Sequence, residues 1–177
     1  MSAGFEGFPT VRLASLSDHP SDLRHVTSLR QQWSASHGFV GDGGDGGDGG
    51  DGGDGGDGGD GGDLGDRIRA WWERQGDSRV CWLALDAELA IGMANLAVFE
   101  RMPLVGLPDG RWGYVGNVWV DPAHRRRGVA TTLLSAAIDW CRTRSFERIV
   151  LNPSEMSAAL CLALGFRPAD DLLRLDL

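Results

Sequence analysis

Apolar and polar positions along this chain change period several times, and each change marks an element. Thr10-Val11-Arg12-Leu13-Ala14 alternates like a short edge strand. Leu23, Val26, Leu29 and Trp33 then recur at helical spacing, which predicts a helix from about Ser21 to Ser36, closed by Gly38. Ser17 or Asp18 can cap it, with Pro20 near its first turn. Helical period resumes at Leu64–Gln75, with Leu64, Ile68, Trp71 and Trp72 on one side. Two strands follow, Ser78–Leu85 and Leu89–Phe99, joined by a turn at Asp86-Ala87-Glu88. After a loop rich in turn residues, Trp112–Val120 reads as a central strand. Val129, Leu133, Ala136 and Trp140 start a long helix, expected to reach about Ser145, with Leu134, Ala137 and Cys141 one step round. Arg148–Leu151 is a parallel-type strand and Glu155–Leu164 a short helix stopped by Gly165. Phe166–Pro168 and Leu172–Leu175 predict one or two closing strands, for six to seven strands in all.

Two stretches break the pattern. Between the first two helices stands Gly41-Asp42 followed by seven Gly-Gly-Asp triplets, from Gly43 to Asp63. This tract can bury no apolar area and its charges repel, so it reads as an extended insertion in a tolerant loop. It lacks the Pro of collagen and the apolar residue of a calcium-binding β-roll. Loose association with divalent cations or basic partners is the alternative. The second break is the junction Val118-Trp119-Val120-Asp121-Pro122-Ala123-His124-Arg125-Arg126-Arg127-Gly128-Val129-Ala130-Thr131. A strand stops there at Asp-Pro, turns through three arginines and enters the long helix. The first helical turn offers unpaired N–H groups and a positive dipole end. Gly128 lets backbone come close to a ligand, Ala130 adds little bulk, and the arginines supply charge. Together they suit a pyrophosphate.

Arg125-x-x-Gly128-x-Ala130 resembles the acyl-CoA-binding motif R/Q-x-x-G-x-G/A of the GNAT superfamily of N-acetyltransferases. The element order β-α-α-β-β-β-α-β-α-β is also similar, over nearly the whole chain outside the repeat tract. The resemblance implies an α/β (α+β) acyl-CoA N-acyltransferase fold with a mixed, mostly antiparallel sheet flanked by helices. It implies one domain over residues 1–177, with 41–63 as an insertion near the acceptor wall. The implied cofactor-binding residues are Val118, Trp119 and Val120 for pantetheine, and Arg125, Arg126, Arg127, Gly128, Val129, Ala130 and Thr131 for the diphosphate. The implied reaction moves an acetyl group from acetyl-CoA to an amine by direct attack.

Cys161-x-x-x-Gly165-Phe166 is similar to the family's Y-x-x-x-G-F, whose Tyr often protonates the departing sulfur. A thiol can donate a proton, but a Cys on an apolar helix is usually packing. Ser154, where the family often has Asn, can bond pantetheine or cap a helix. Four groups are candidate bases or water holders. Glu100 ends a strand and is otherwise an edge carboxylate. Tyr114 is otherwise a core aromatic. Asn117 can hold a water, and Glu155 also suits a helix start on dipole grounds alone. His124 flanks the arginines and reads as surface. Trp33, Trp71, Trp72 and Trp112 fall where an acceptor wall would stand and could hold an amine by cation–π contact, although four Trp are more often core and packing.

Composition narrows the partners. Net charge is −8, but eight aspartates lie in the tract, and outside it seventeen acids face seventeen bases. That balance gives no nucleic-acid footprint and no basic membrane face. Met1–Thr10 lacks the pattern of a signal peptide, and no apolar run reaches spanning length. Cys81, Cys141 and Cys161 predict buried free thiols in a reducing, cytoplasmic setting. No metal-ligand spacing appears. A monomer or homodimer is expected, and a CoA-binding regulatory module without turnover is the rival to an enzyme.

Overall fold

A computed structural model describes residues 9–38, 63–169, 171–173 and 175. The elements are β1 (Thr10–Leu13), α1 (Asp22–Ser36), α2 (Leu64–Gln75), β2 (Arg79–Asp86), β3 (Leu89–Glu100), β4 (Arg111–Val120), α3 (Val129–Arg142), β5 (Arg148–Leu151) and α4 (Glu155–Ala163). The strands form one sheet in the order β1-β2-β3-β4-β5. The first four pair antiparallel and β5 pairs parallel to β4.

Side chains of one sheet face pack with α3 and α4, around Trp82, Leu96, Val115, Leu133, Leu134 and Cys161. The other face packs under α1 and α2, around Leu83, Met93 and Trp119 with Val26, Leu29 and Trp72. Burying such side chains away from water supplies most of the driving force, at about 25 cal/mol per Å² of apolar area. The first helix is tied to β1 by a half-buried ion pair. Asp22 is fully buried, accepts both Nη groups of Arg12 at 2.6 Å, and also accepts the Ser15 amide at 3.0 Å.

Pairing between β3 and β4 slips at one point. Asn95 faces Gly116, whereas Met93 faces Trp119, so β4 carries one extra residue in between. Asn117 takes it up in the left-handed region, at φ 52. Gly113 and Val115 lie on the α3 face, and uninterrupted alternation would send Trp119 there too. With the bulge, Val118 and Val120 turn to α3 and Trp119 turns to α1.

Five strands stand among the described residues, not six to seven. Phe166–Pro168 leaves α4 without strand pairing, since Pro168 lacks a donor. Leu173 and Leu175 are exposed and Leu172 nearly half so, leaving no buried face to fix a register. Arg174, within the expected strand Leu172–Leu175, lies outside the described residues. So does the Gly-Gly-Asp tract apart from Asp63, which accepts the Gly65 amide as the cap of α2. The buried stripe of α3 is also turned from expectation: Val129, Leu133, Leu134, Ala137 and Cys141 are buried, whereas Ala136 and Trp140 are partly so. That helix ends at Arg142, and Ser145 follows at φ 57. No helix of the described residues is long and apolar enough to cross a membrane.

Candidate active site

The junction after β4 forms as its residue types dictate. Asp121 accepts the Ala123 amide at 2.8 Å and starts a short helical turn, Pro122–His124, with Pro122 at its first position. Arg125 doubles back: its Nε donates to the Val120 carbonyl at 3.0 Å, and its guanidinium lies 4.6 Å over the Trp119 ring. Arg126 and Gly128 both have left-handed backbone, at φ 63 and φ 78. This conformation swings the chain into α3. Gly128 is the N-cap, and the first backbone bond to it comes from Thr132 at 3.0 Å. The amides of Val129, Ala130 and Thr131 therefore precede the helical ladder. Arg126, Arg127, Gly128 and Thr131 are exposed around them, which gives an open corner of positive potential. No atom approaches within 4 Å of where a Gly128 Cβ would stand, so the corner is not filled by side chains.

A gap opens beside this corner. In the parallel pair, β5 stops at Leu151 opposite Val115, while β4 runs on to Val120. Asn152-Pro153 leads the chain away into α4. Residues 116–120 of β4 thus have no neighbouring strand on that side among the described residues, which suits an extended ligand arm. The Val120 carbonyl is already taken by Arg125, so that acceptor is shared or displaced on binding. Ser154 stands at the start of α4, where its hydroxyl pairs with that of Ser157 at 3.1 Å and makes no cap bond.

On the opposite face, α1 lies over the bulge. Arg30 donates to Asn117 Oδ1 and lies 4.4 Å over the Trp33 ring. His37 continues the row, 4.6 Å from Trp33 and 6.2 Å from Trp119 by ring centroids. The Trp119 indole N–H is buried without a hydrogen-bond partner. Tyr114 is half-buried on the same strand. Asn117, Trp119 and the Arg125–Thr131 corner are thus brought into one neighbourhood, with Tyr114 three residues before Asn117 on the strand.

Other expected residues fall elsewhere. Glu100 pairs with Arg111 at the start of β4, six residues short of Asn117. At about 3.3 Å per residue that is roughly 20 Å, so Glu100 stands apart from the gap. Cys161 is buried in the α3–α4 core, and burial raises its thiol pKa. Burial likewise pushes Cys81 to about 12 and Cys141 to about 11, and all three thiols are free. Glu155 lies exposed in the first turn of α4. His124 is partly buried, with its side chain 17% exposed and Nδ1 3.4 Å from Asp121. Trp72 and Trp33 join the α1–α2 packing, while Trp112 stacks on Phe99 at 4.4 Å. Among the described residues no group of three His, Cys, Asp or Glu could hold a metal. A cavity of about 660 Å³ lies outside β5, between the end of α3 and the segment after α4, and includes none of the corner residues. Arg30 was not a sequence candidate, although an arginine beside Leu29 and Trp33 on a helix facing the sheet was a signal available.

The acetyltransferase (GNAT) family pattern matches residues 58–166, well over half of the sequence and all of the corner. The chain belongs to the GNAT family. Over 87 residues it is 32% identical to the glucosamine 6-phosphate N-acetyltransferase of Trypanosoma brucei brucei, a stretch covering 49% of this chain and 57% of that relative. The chain thus spans little more than half of that protein. Among solved structures it resembles a predicted acetyltransferase with acetyl-CoA from Clostridium acetobutylicum, with a TM-score of 0.66, 20% identity and coverage of 94% and 95%. It also resembles the aminoglycoside acetyltransferase AAC(6')-Iy with a bisubstrate analogue, with a TM-score of 0.65, 20% identity and coverage of 97% and 99%. At these identities the likeness is one of fold alone.

Proposed function

We propose that this GNAT protein transfers an acetyl group from acetyl-CoA to a primary amine of a small molecule or peptide by direct attack. The observation that carries the reading is the left-handed Gly128 corner, open and positive, next to the unpartnered end of β4. The whole chain, 1–177, acts as one such domain, with the tract at 41–63 as an insertion between α1 and α2.

Amides from Arg126 to Thr131 and the guanidinium groups of Arg126 and Arg127 hold the diphosphate. Residues Val118–Val120 align the pantetheine arm along the strand edge, with Ser154 at its α4 side. Strand amides at the bulge stabilise charge on the thioester oxygen, where fixed donors act well in a site shielded from water. The amine must attack in neutral form. Its proton leaves through water held by Asn117 and the Tyr114 hydroxyl. Cys161 contributes packing, and solvent at the gap protonates the thiolate. A soluble, cytoplasmic setting agrees with the buried free thiols.

The test is release of CoA thiol from acetyl-CoA in the presence of an amine panel. Transfer to any amine supports the enzyme. Tight CoA binding without turnover favours the second reading, a regulatory CoA-binding module, which the replacement of the family's Tyr by Cys161 motivates.

A further inference from the structure

A second positive group sits on the α1–α2 face of the sheet, two strands away from the bulge. Arg79 opens β2 in the row Arg79–Ala97–Tyr114, and the next row is Cys81–Asn95–Gly116. Its Nε donates to Gln75 Oε1 at 3.1 Å, Nη1 approaches Asn95 Oδ1 at 3.5 Å, and the guanidinium lies 5.5 Å from the Trp71 ring. All of these partners are neutral. No carboxylate pairs with Arg79 among the described residues. A guanidinium stays charged, and a half-buried charge held only by dipoles favours an anion that can accept its fork of donors. Strands are about 4.8 Å apart, so Arg79 lies about 10 Å across from Tyr114, and with three residues along β4 the backbone diagonal to Asn117 is roughly 14 Å. The long arginine stem covers part of that diagonal, and the remainder suits one sugar ring or a short amino acid.

We propose that Arg79 receives an anionic group, phosphate or carboxylate, of the acceptor whose amine is acetylated at the Asn117 bulge. The proposal rests on the transfer reading above and names its substrate class. A polycationic acceptor is disfavoured there, because its ammonium groups would face Arg79 together with Arg30 over the bulge.

The test measures kcat/KM of the full chain by thiol release with four acceptors: glucosamine 6-phosphate, muramic acid, glucosamine and kanamycin. An anionic member should exceed glucosamine by on the order of tenfold or more, chiefly through KM, with kanamycin last. Which anion leads tells phosphate from carboxylate. Arg79→Gln should erase that advantage and leave glucosamine within about twofold, while Arg79→Lys keeps part of it. Thermal midpoints show whether each variant is folded. If Arg79→Gln fails to fold, the wild-type preference and Arg79→Lys still decide. Equal or better transfer to glucosamine or kanamycin, or a uniform loss with all acceptors in Arg79→Gln, overturns the anion site and leaves the transferase intact. No turnover with any of the four overturns the anion site, while the transferase reading is judged separately by the broader amine panel.

Discussion

Gly128 allows backbone strain and charge at the corner to be separated. Its φ of 78 costs an alanine about 1–2 kcal/mol. No neighbour lies within 4 Å of a Cβ there, so no clash is added. Gly128→Ala should therefore lower the thermal midpoint by about 2–8 °C and weaken CoA modestly. Gly128→Glu carries the same strain and adds a carboxylate facing the diphosphate. Two charges at about 6 Å, under an effective dielectric between that of water and of a protein surface, repel by about 0.7–2.8 kcal/mol. That corresponds to roughly a threefold to hundredfold higher Kd than Gly128→Ala. Calorimetric titration with CoA, at low and high salt, measures it. The extra loss should shrink as salt screens the pair. Equal Kd for the two variants, with equal midpoints, would refute a diphosphate at this corner.

Three more outcomes follow from named contacts. For Asp22, burial raises the carboxyl pKa, but the Arg12 hydrogen bonds and charge and the Ser15 amide outweigh it, so the net shift is downward. A depressed carboxyl pKa stabilises the fold above the unfolded value, about 3.9, and that contribution is lost as pH falls through the folded value. Asp22→Asn should cost about 3–5 kcal/mol at neutral pH in urea unfolding and flatten the acid limb below about pH 4; an unchanged pH dependence would show that the pair is not responsible. Cys161→Ala should cost about 1 kcal/mol of stability and change kcat less than about threefold. A loss of about a hundredfold or more in a stable protein would instead make Cys161 the proton donor. Deleting Gly43–Asp60 while keeping the Asp63 cap should leave kcat/KM unchanged and raise stability by about 1 kcal/mol through a shorter closure; loss of activity would give the tract a duty at the site.

Much of this site was legible in the sequence because it is local. Asp121-Pro122, the arginines and Gly128 each act within a few residues, and the helical period of α3 starts where its N-terminus is needed. The elements α2, β2 and β3 were legible for the same reason, as apolar periods with strong turns between them. The bulge was not. An extra residue at Asn117 shows only in the register with β3, yet it decides that Trp119 faces α1. Long-range placement also decided Glu100, which looked near the site along the chain but lies at the far end of β4. Arg30 and Arg79 were hidden because they read as ordinary charges until α1 and α2 are docked on the sheet. The closing strands were over-read from leucine content, since a period of apolar residues forms a strand only with a face to bury.

The most direct test of the central claim compares CoA, dephospho-CoA and pantetheine as ligands of the full chain in one calorimetric series. The account predicts that dephospho-CoA, which keeps the diphosphate, binds nearly as tightly as CoA, and that pantetheine, which lacks it, binds weaker by on the order of a hundredfold. Pantetheine binding as tightly as CoA would contradict the corner as the anchoring point.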